Sequence, residues 1–278
     1  NPNVGSEANR AVSEVPAAND PLEDAGESRV QPLVPAPVGR LSAACGRRLT
    51  VAARKGDAEE MARLLTLKPN VNFRDTDGIT PLQAACQVGM DGCSKLLIEA
   101  GADLASTTHE GYSAMHLAAD HGFHLCLDQL IDGGADVNMV DGDSNTPLHL
   151  ACDTGHPACT ARLLTAGVDL NHANNMGANA LHAACLNGHF ECASLLVEAG
   201  ALVNEVAKNG CTALHACAGN GHAVCVELLL RQKGIELLVR YAEKTALNWA
   251  QQKSRQDCVE LLEGPTAEAE AKARTIGG

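Results

Sequence analysis

The stretch Thr146-Pro147-Leu148-His149-Leu150-Ala151-Cys152-Asp153-Thr154-Gly155-His156 decides the fold. It reads as a short helix with both ends encoded. Thr146 is an N-cap residue, whose hydroxyl accepts a bond from an otherwise unpaired backbone N–H. Pro147 stands at the first helical position, where its missing N–H costs nothing. His149 falls three residues after the cap, where a capping box places a side chain that reaches back. Gly155 suits the left-handed conformation that ends a helix.

Working outward, the same stretch recurs. Thr80, Ser113, Thr146, Asn179, Thr212 and Thr245 stand 33 residues apart, and all are N-cap types. Three residues after them come Gln83, His116, His149, His182, His215 and Asn248. Gly89, Gly122, Gly155, Gly188 and Gly221 form a third column, and Leu97, Leu130, Leu163, Leu196, Leu229 and Leu262 a fourth. Independent columns sharing one period are the signature of a solenoid, in which each unit buries its apolar face only against its neighbours.

Thr-Pro-Leu-His, then Ala-Cys, then Gly-His, with Gly134-Ala135-Asp136-Val137-Asn138 between units, resembles the ankyrin repeat. The resemblance implies an all-α solenoid of about seven helix-turn-helix units over residues 45–263, with β-hairpin loops protruding between them. Residues 1–44 read as a disordered Pro-rich tail, and residues 264–278 as a flexible tail whose Ala-Glu-Ala-Glu-Ala-Lys-Ala-Arg run could form a frayed helix. The first and last repeats are degenerate, as terminal caps must be. Ser254 replaces the glycine that follows the first helix elsewhere, and the glycine of Lys233-Gly234 falls one position late, predicting a reshaped loop. Arg47, Arg48, Arg54 and Lys55 make the first cap basic, with anion binding as the functional alternative.

Composition fits thin helical layers. Six aromatic residues in 278 cannot fill a large aromatic core. A net charge of −13 opposes general nucleic-acid binding, which requires basic clusters. No run of 18 apolar residues appears, so no membrane-spanning helix is expected. The chain opens on Asn1 rather than Met, which reads as a piece of a longer protein.

Twelve cysteines invite a disulfide reading, but six of them (Cys93, Cys126, Cys159, Cys192, Cys225 and Cys258) fall on the 33-residue period. Cys86, Cys152 and Cys185 form a second set at the end of the first helix. Buried thiols acting as small hydrophobes explain both, and reduced thiols at this density place the chain in the cytoplasm or nucleus. Zinc would need tetrahedral groups rather than columns. Redox sensing would need exposed thiols of low pKa.

No catalytic motif survives its context. Gly142-Asp143-Ser144 resembles the opening of an esterase elbow but falls at a loop tip between repeats. The two histidine columns have capping roles, so no metal and no cofactor is expected. The aromatic residues stand too far apart in sequence for a methyl-lysine cage.

The resemblance leaves a concave face, formed by loop tips and the exposed side of the first helices, as the place for a partner. Its period-free residues are His109, Glu110, Tyr112, Asp120 and His121, then Asp143, Asn145 and Asp153, then Asn175, Met176, Leu186 and Asn187. Acidic groups with apolar anchors predict a basic or mixed-charge protein partner for a monomeric, non-catalytic scaffold or adaptor. A regulatory segment of a larger enzyme and a thiol redox sensor are the alternatives. Family resemblance also marks Asn138 and Asn171 as asparaginyl-hydroxylation sites, each with Leu eight residues earlier and Asp two residues earlier.

Overall fold

The computed structural model describes residues 38–276. They form helices in seven pairs, joined within each pair by a tight turn: α1 (Val38–Lys55) and α2 (Ala58–Thr66); α3 (Pro81–Val88) and α4 (Asp91–Glu99); α5 (Ala114–Asp120) and α6 (His124–Asp132); α7 (Pro147–Thr154) and α8 (Pro157–Thr165); α9 (Ala180–Asn187) and α10 (Phe190–Glu198); α11 (Ala213–Asn220) and α12 (Ala223–Leu230); α13 (Ala246–Gln252) and α14 (Gln256–Ile276).

Each first helix packs on the first helix of the next pair, and each second helix on the next second helix. The core therefore runs as one band between two helical layers. Leu82, Met115, Leu148, Leu181 and Leu214 fill it from the first layer, with Leu97, Leu130, Leu163, Leu196 and Leu229 from the second. Ala85, Ala118, Ala151, Ala184 and Ala218 are fully buried, which lets the short helices of the first layer approach closely.

The helix ends form as their sequence dictates. The cap side chain accepts the N3 amide at Thr80, Ser113, Asn179, Thr212 and Thr245. Gly155 ends α7 with φ of +79°, and a Cβ there would collide with the His189 ring of the next repeat. That position needs glycine twice over, for its backbone and for the neighbour it admits.

Where protruding β-hairpin loops were expected between repeats, the described residues carry only isolated bridges: Thr107 with Ser113, Val206 with Thr212, and Tyr241 with Lys244.

The two ends differ from the boundaries read in the sequence. Helix α1 already begins at Val38, ahead of Cys45; residues 1–37 of the expected tail lie outside the described residues. At the other end α14 does not stop at Gly264. It continues through Pro265 to Ile276, where a flexible tail was expected. Leu262 and Thr266 are buried, and Ala269 lines a 470 Å³ cavity with Ile235–Val239 from the reshaped loop.

Candidate interaction surface

Two histidine columns stitch the repeats together. In the first, the N-cap amides of Ser113 and Thr146 donate to Nδ1 of His116 and His149, both at 3.2 Å. This makes Nδ1 an acceptor and leaves the ring proton on Nε2, which donates to the next repeat. His116 reaches Asn145 O at 3.0 Å, His149 reaches Ala178 O at 3.1 Å, and His182 and His215 reach Cys211 O and Lys244 O at 3.2 Å. Each target carbonyl belongs to the residue just before the following cap. Gln83 does the same work with an amide, accepting from Thr80 N and donating to Ser106 O at 2.9 Å.

Burial holds these rings neutral, drawing His116, His182 and His215 below their ordinary range and His149 down to about 4. The second column repeats the device: Nε2 of His156, His189 and His222 donates at 3.0 Å to Asp120 O, Asp153 O and Leu186 O.

Most of the thiols sit in the core. All twelve cysteines are free, and ten are buried. Burial pushes Cys159 and Cys225 up to about 12, and Cys211 to about 11, so they remain protonated. Among the described residues no three His, Cys, Asp or Glu side chains are placed to hold a metal ion. At the first cap Arg48 pairs with Glu60, and Arg54 with Asp75 at 2.9 Å, so the chain's own carboxylates engage two of the four basic residues there.

The residues read as a partner strip separate into two kinds. Several are spent within the solenoid. Asn145 donates to Asp141 Oδ2 at 3.1 Å and accepts from Asn174 Nδ2 at 2.9 Å. Asn187 donates to the Asp153 carboxylate at 2.8 Å, and desolvation raises the pKa of that acid. Asn175 accepts from Ser144 Oγ at 2.9 Å. Tyr112 is half-buried against the His116 ring, and the His109 ring packs over Gly78. His121 bonds Leu117 O at 3.0 Å and sits 3.5 Å from the Asp120 carboxylate.

The others are free. The carboxylates of Glu110 and Asp143 are exposed, with no side-chain hydrogen bond and no ion pair among the described residues. Met176 is 59% exposed and Leu186 47%. Val140 and Val206, at equivalent turn positions two repeats apart, are 41% and 48% exposed and escaped the sequence reading. So did the turn-forming column of Asp75, Asp141 and Asn174, whose Oδ1 atoms each accept two loop amides. Its 33-residue spacing was the available signal.

Tyr241 and Trp249, separated in sequence, stack at 5.1 Å. Lys244 Nζ sits 5.2 Å from the Trp249 ring centre, so the chain's own cation engages this aromatic pair.

The Asn column bridges the loops. Asn138 Oδ1 accepts from Asp169 N at 2.7 Å, and Asn171 Oδ1 from Leu202 N at 3.0 Å. Asp136 and Asp169, two residues before each, accept the Asn amides.

A family model for ankyrin repeats, in three copies, matches residues 49–141, 121–207 and 199–273. The chain belongs to the ankyrin repeat family. Solved structures agree with it over most of its length. The human ASB11 ankyrin repeat domain superposes with a TM-score of 0.70 at 28% identity, covering 77% of this chain and 96% of that one. The ankyrin repeat domain of Bcl-3, a member of the IkappaB family, gives 0.68 at 27% identity, with 78% and 97% covered. Among curated proteins, the potassium channel GORK of Arabidopsis thaliana is 37% identical over 70 residues, which is 25% of this chain and 8% of the channel. The chain thus matches only a small part of that protein. Ankyrin repeat domains are non-catalytic protein-interaction modules, and this chain is one. Among the described residues no helix is long and apolar enough to cross a membrane.

Proposed function

We propose that this ankyrin repeat domain is a scaffold or adaptor that binds a basic or mixed-charge protein partner, as a monomer, on the concave face. The observation that carries the reading is the contrast along the strip. Glu110 and Asp143 keep unpaired, exposed carboxylates beside exposed Met176 and Leu186, while their neighbours are consumed by inter-repeat bonds. A surface of this kind is preformed, so little ordering opposes binding. A few apolar anchors among charges then supply most of the energy. The cytoplasm or nucleus suits a chain with so many free thiols.

The test is charge reversal at Glu110 and Asp143 together. Asp153 is left unchanged, because it already accepts a hydrogen bond from Asn187. Against a purified partner recovered by affinity capture, the double Lys variant is expected to bind at least about tenfold more weakly, with an unchanged thermal midpoint. Unchanged affinity removes the assignment of this face. The match to a small part of a larger channel favours, as a second reading, a regulatory segment within a longer polypeptide; the full reading frame decides that.

Asn138 and Asn171 belong to the same proposal as hydroxylation sites. Both side chains already hold the next loop, so an enzyme would first have to open that bond. Intact mass after co-expression with an asparaginyl hydroxylase checks this: no added oxygen removes it.

A further inference from the structure

Neighbouring loop tips are tied backbone to backbone. Gly142 N donates to Glu110 O at 3.0 Å, Asn175 N to Asp143 O at 2.9 Å, and Lys208 N to Met176 O at 2.9 Å. Glu110, Asp143 and Met176 therefore stand in single file, one repeat step apart, with Asp77 at the equivalent position one repeat earlier. The step is set by first helices lying side by side, which pack about 8–10 Å apart. The rows flanking the tips are largely self-bonded, through Asn145 with Asp141 and Asn187 with Asp153. What the strip offers is thus a narrow file: carboxylate, carboxylate, carboxylate, then the apolar group of Met176 with Leu186 on the same repeat. Exposed apolar groups rimmed by polar ones mark interaction sites.

We infer that the occupant is an extended segment of a partner in the polyproline II conformation. It carries a cation at every third residue along Asp77, Glu110 and Asp143, and an apolar side chain at the next step, against Met176 and Leu186. Polyproline II rises about 3.1 Å per residue with three residues per turn, so each turn advances about 9 Å and every third side chain faces one way. That matches the repeat step. A β-strand sends every third side chain to alternate faces. A helix about 10 Å across would lay its flanking side chains on rows that are largely self-bonded. Polyproline II makes no internal hydrogen bonds and is preformed in suitable sequences, so its ordering cost is small.

This inference rests on the face proposed above, and the experiment separates the two. Three fluorescent synthetic peptides of equal length and charge, the third with alanine in place of proline, are titrated into the full chain. The first places arginine at every third residue, with leucine one step beyond and proline and alanine between. The second places arginine at every second residue. The third is a helix-forming order with arginine at seven-residue spacing. The first is expected to bind at least about tenfold more tightly than the others, with affinity falling as salt rises. It should lose that advantage on the Glu110→Lys, Asp143→Lys variant, and separately on Met176→Ser. Equal affinity of the three peptides, all weakened by the double charge reversal, overturns the every-third-residue register and leaves the face standing. Affinity that no variant moves overturns both. Thermal melts of each variant confirm that the comparison is between folded proteins.

Discussion

Asn179 Oδ1 lies 2.7 Å from His182 Nδ1, and Asn179 Nδ2 is buried without a partner. At the equivalent caps a hydroxyl stands in this place, and it accepts from the N3 amide while donating to the ring, as at Ser113 and Thr212. A carboxamide cannot do both with one oxygen. Oδ1 accepts His182 N and then meets the unprotonated Nδ1 as a second acceptor. Asn179→Thr is expected to stabilise the chain by about 1 kcal/mol, because it removes a buried orphan donor and supplies the missing one. Urea denaturation of both proteins checks this, and a lower midpoint for the variant would contradict it.

The neutral histidines make the stack acid-sensitive. Burial lowers the folded pKa of His116, His149, His182 and His215, whereas an unfolded imidazole titrates near 6.5. Above that value these groups cost nothing. As pH falls, the unfolded chain takes up protons first and stability drops; the loss from His149 is complete only below its folded value of about 4. That ring alone is worth roughly 3 kcal/mol at full titration. His149→Gln, which copies the natural Gln83 arrangement, is expected to flatten stability between pH 6.5 and about 4. Chemical denaturation at stepped pH reads this directly.

One column of helix-ending residues gives two substitutions of opposite sign. Gly155→Ala places a side chain in a left-handed backbone and against His189, and is expected to cost more than about 2 kcal/mol. Ser254 occupies the same register after α13 with φ of +55°, exposed to solvent. Ser254→Gly relieves that strain and is expected to gain about 0.5–1 kcal/mol. Thermal melts of the two single variants should move in opposite directions.

Thiols sealed in the core should react slowly because a reagent cannot reach them, even at Cys192, whose hydrogen bond from Cys152 draws it down to about 7. With ten of twelve cysteines buried, only Cys45 is expected to label quickly with a thiol reagent in the native protein, and half-buried Cys211, pushed up to about 11, more slowly. All twelve should label at once in denaturant. Fast native labelling of Cys152 or Cys192 would revive the redox reading.

Much of this protein is local chemistry written in a repeating string. Thr146, Pro147, His149 and Gly155 each act within a few residues of themselves, so their spacing alone gives the helix, its start and its stop. The 33-residue period then places the layers, since a helix of eight residues is stable only against a copy of itself. The strip is another matter. Asp143 and Asp153 are alike as letters, yet one is free and the other accepts Asn187, 34 positions away. Likewise Tyr241 finds Trp249, and α14 runs on to Ile276 with Ala269 facing the loop at Ile235–Val239. Those outcomes depend on which side chains of adjoining repeats meet, and that is a property of distance in space. Period and capping determined the architecture from the sequence alone; the tertiary structure decided which surface groups were left over for a partner.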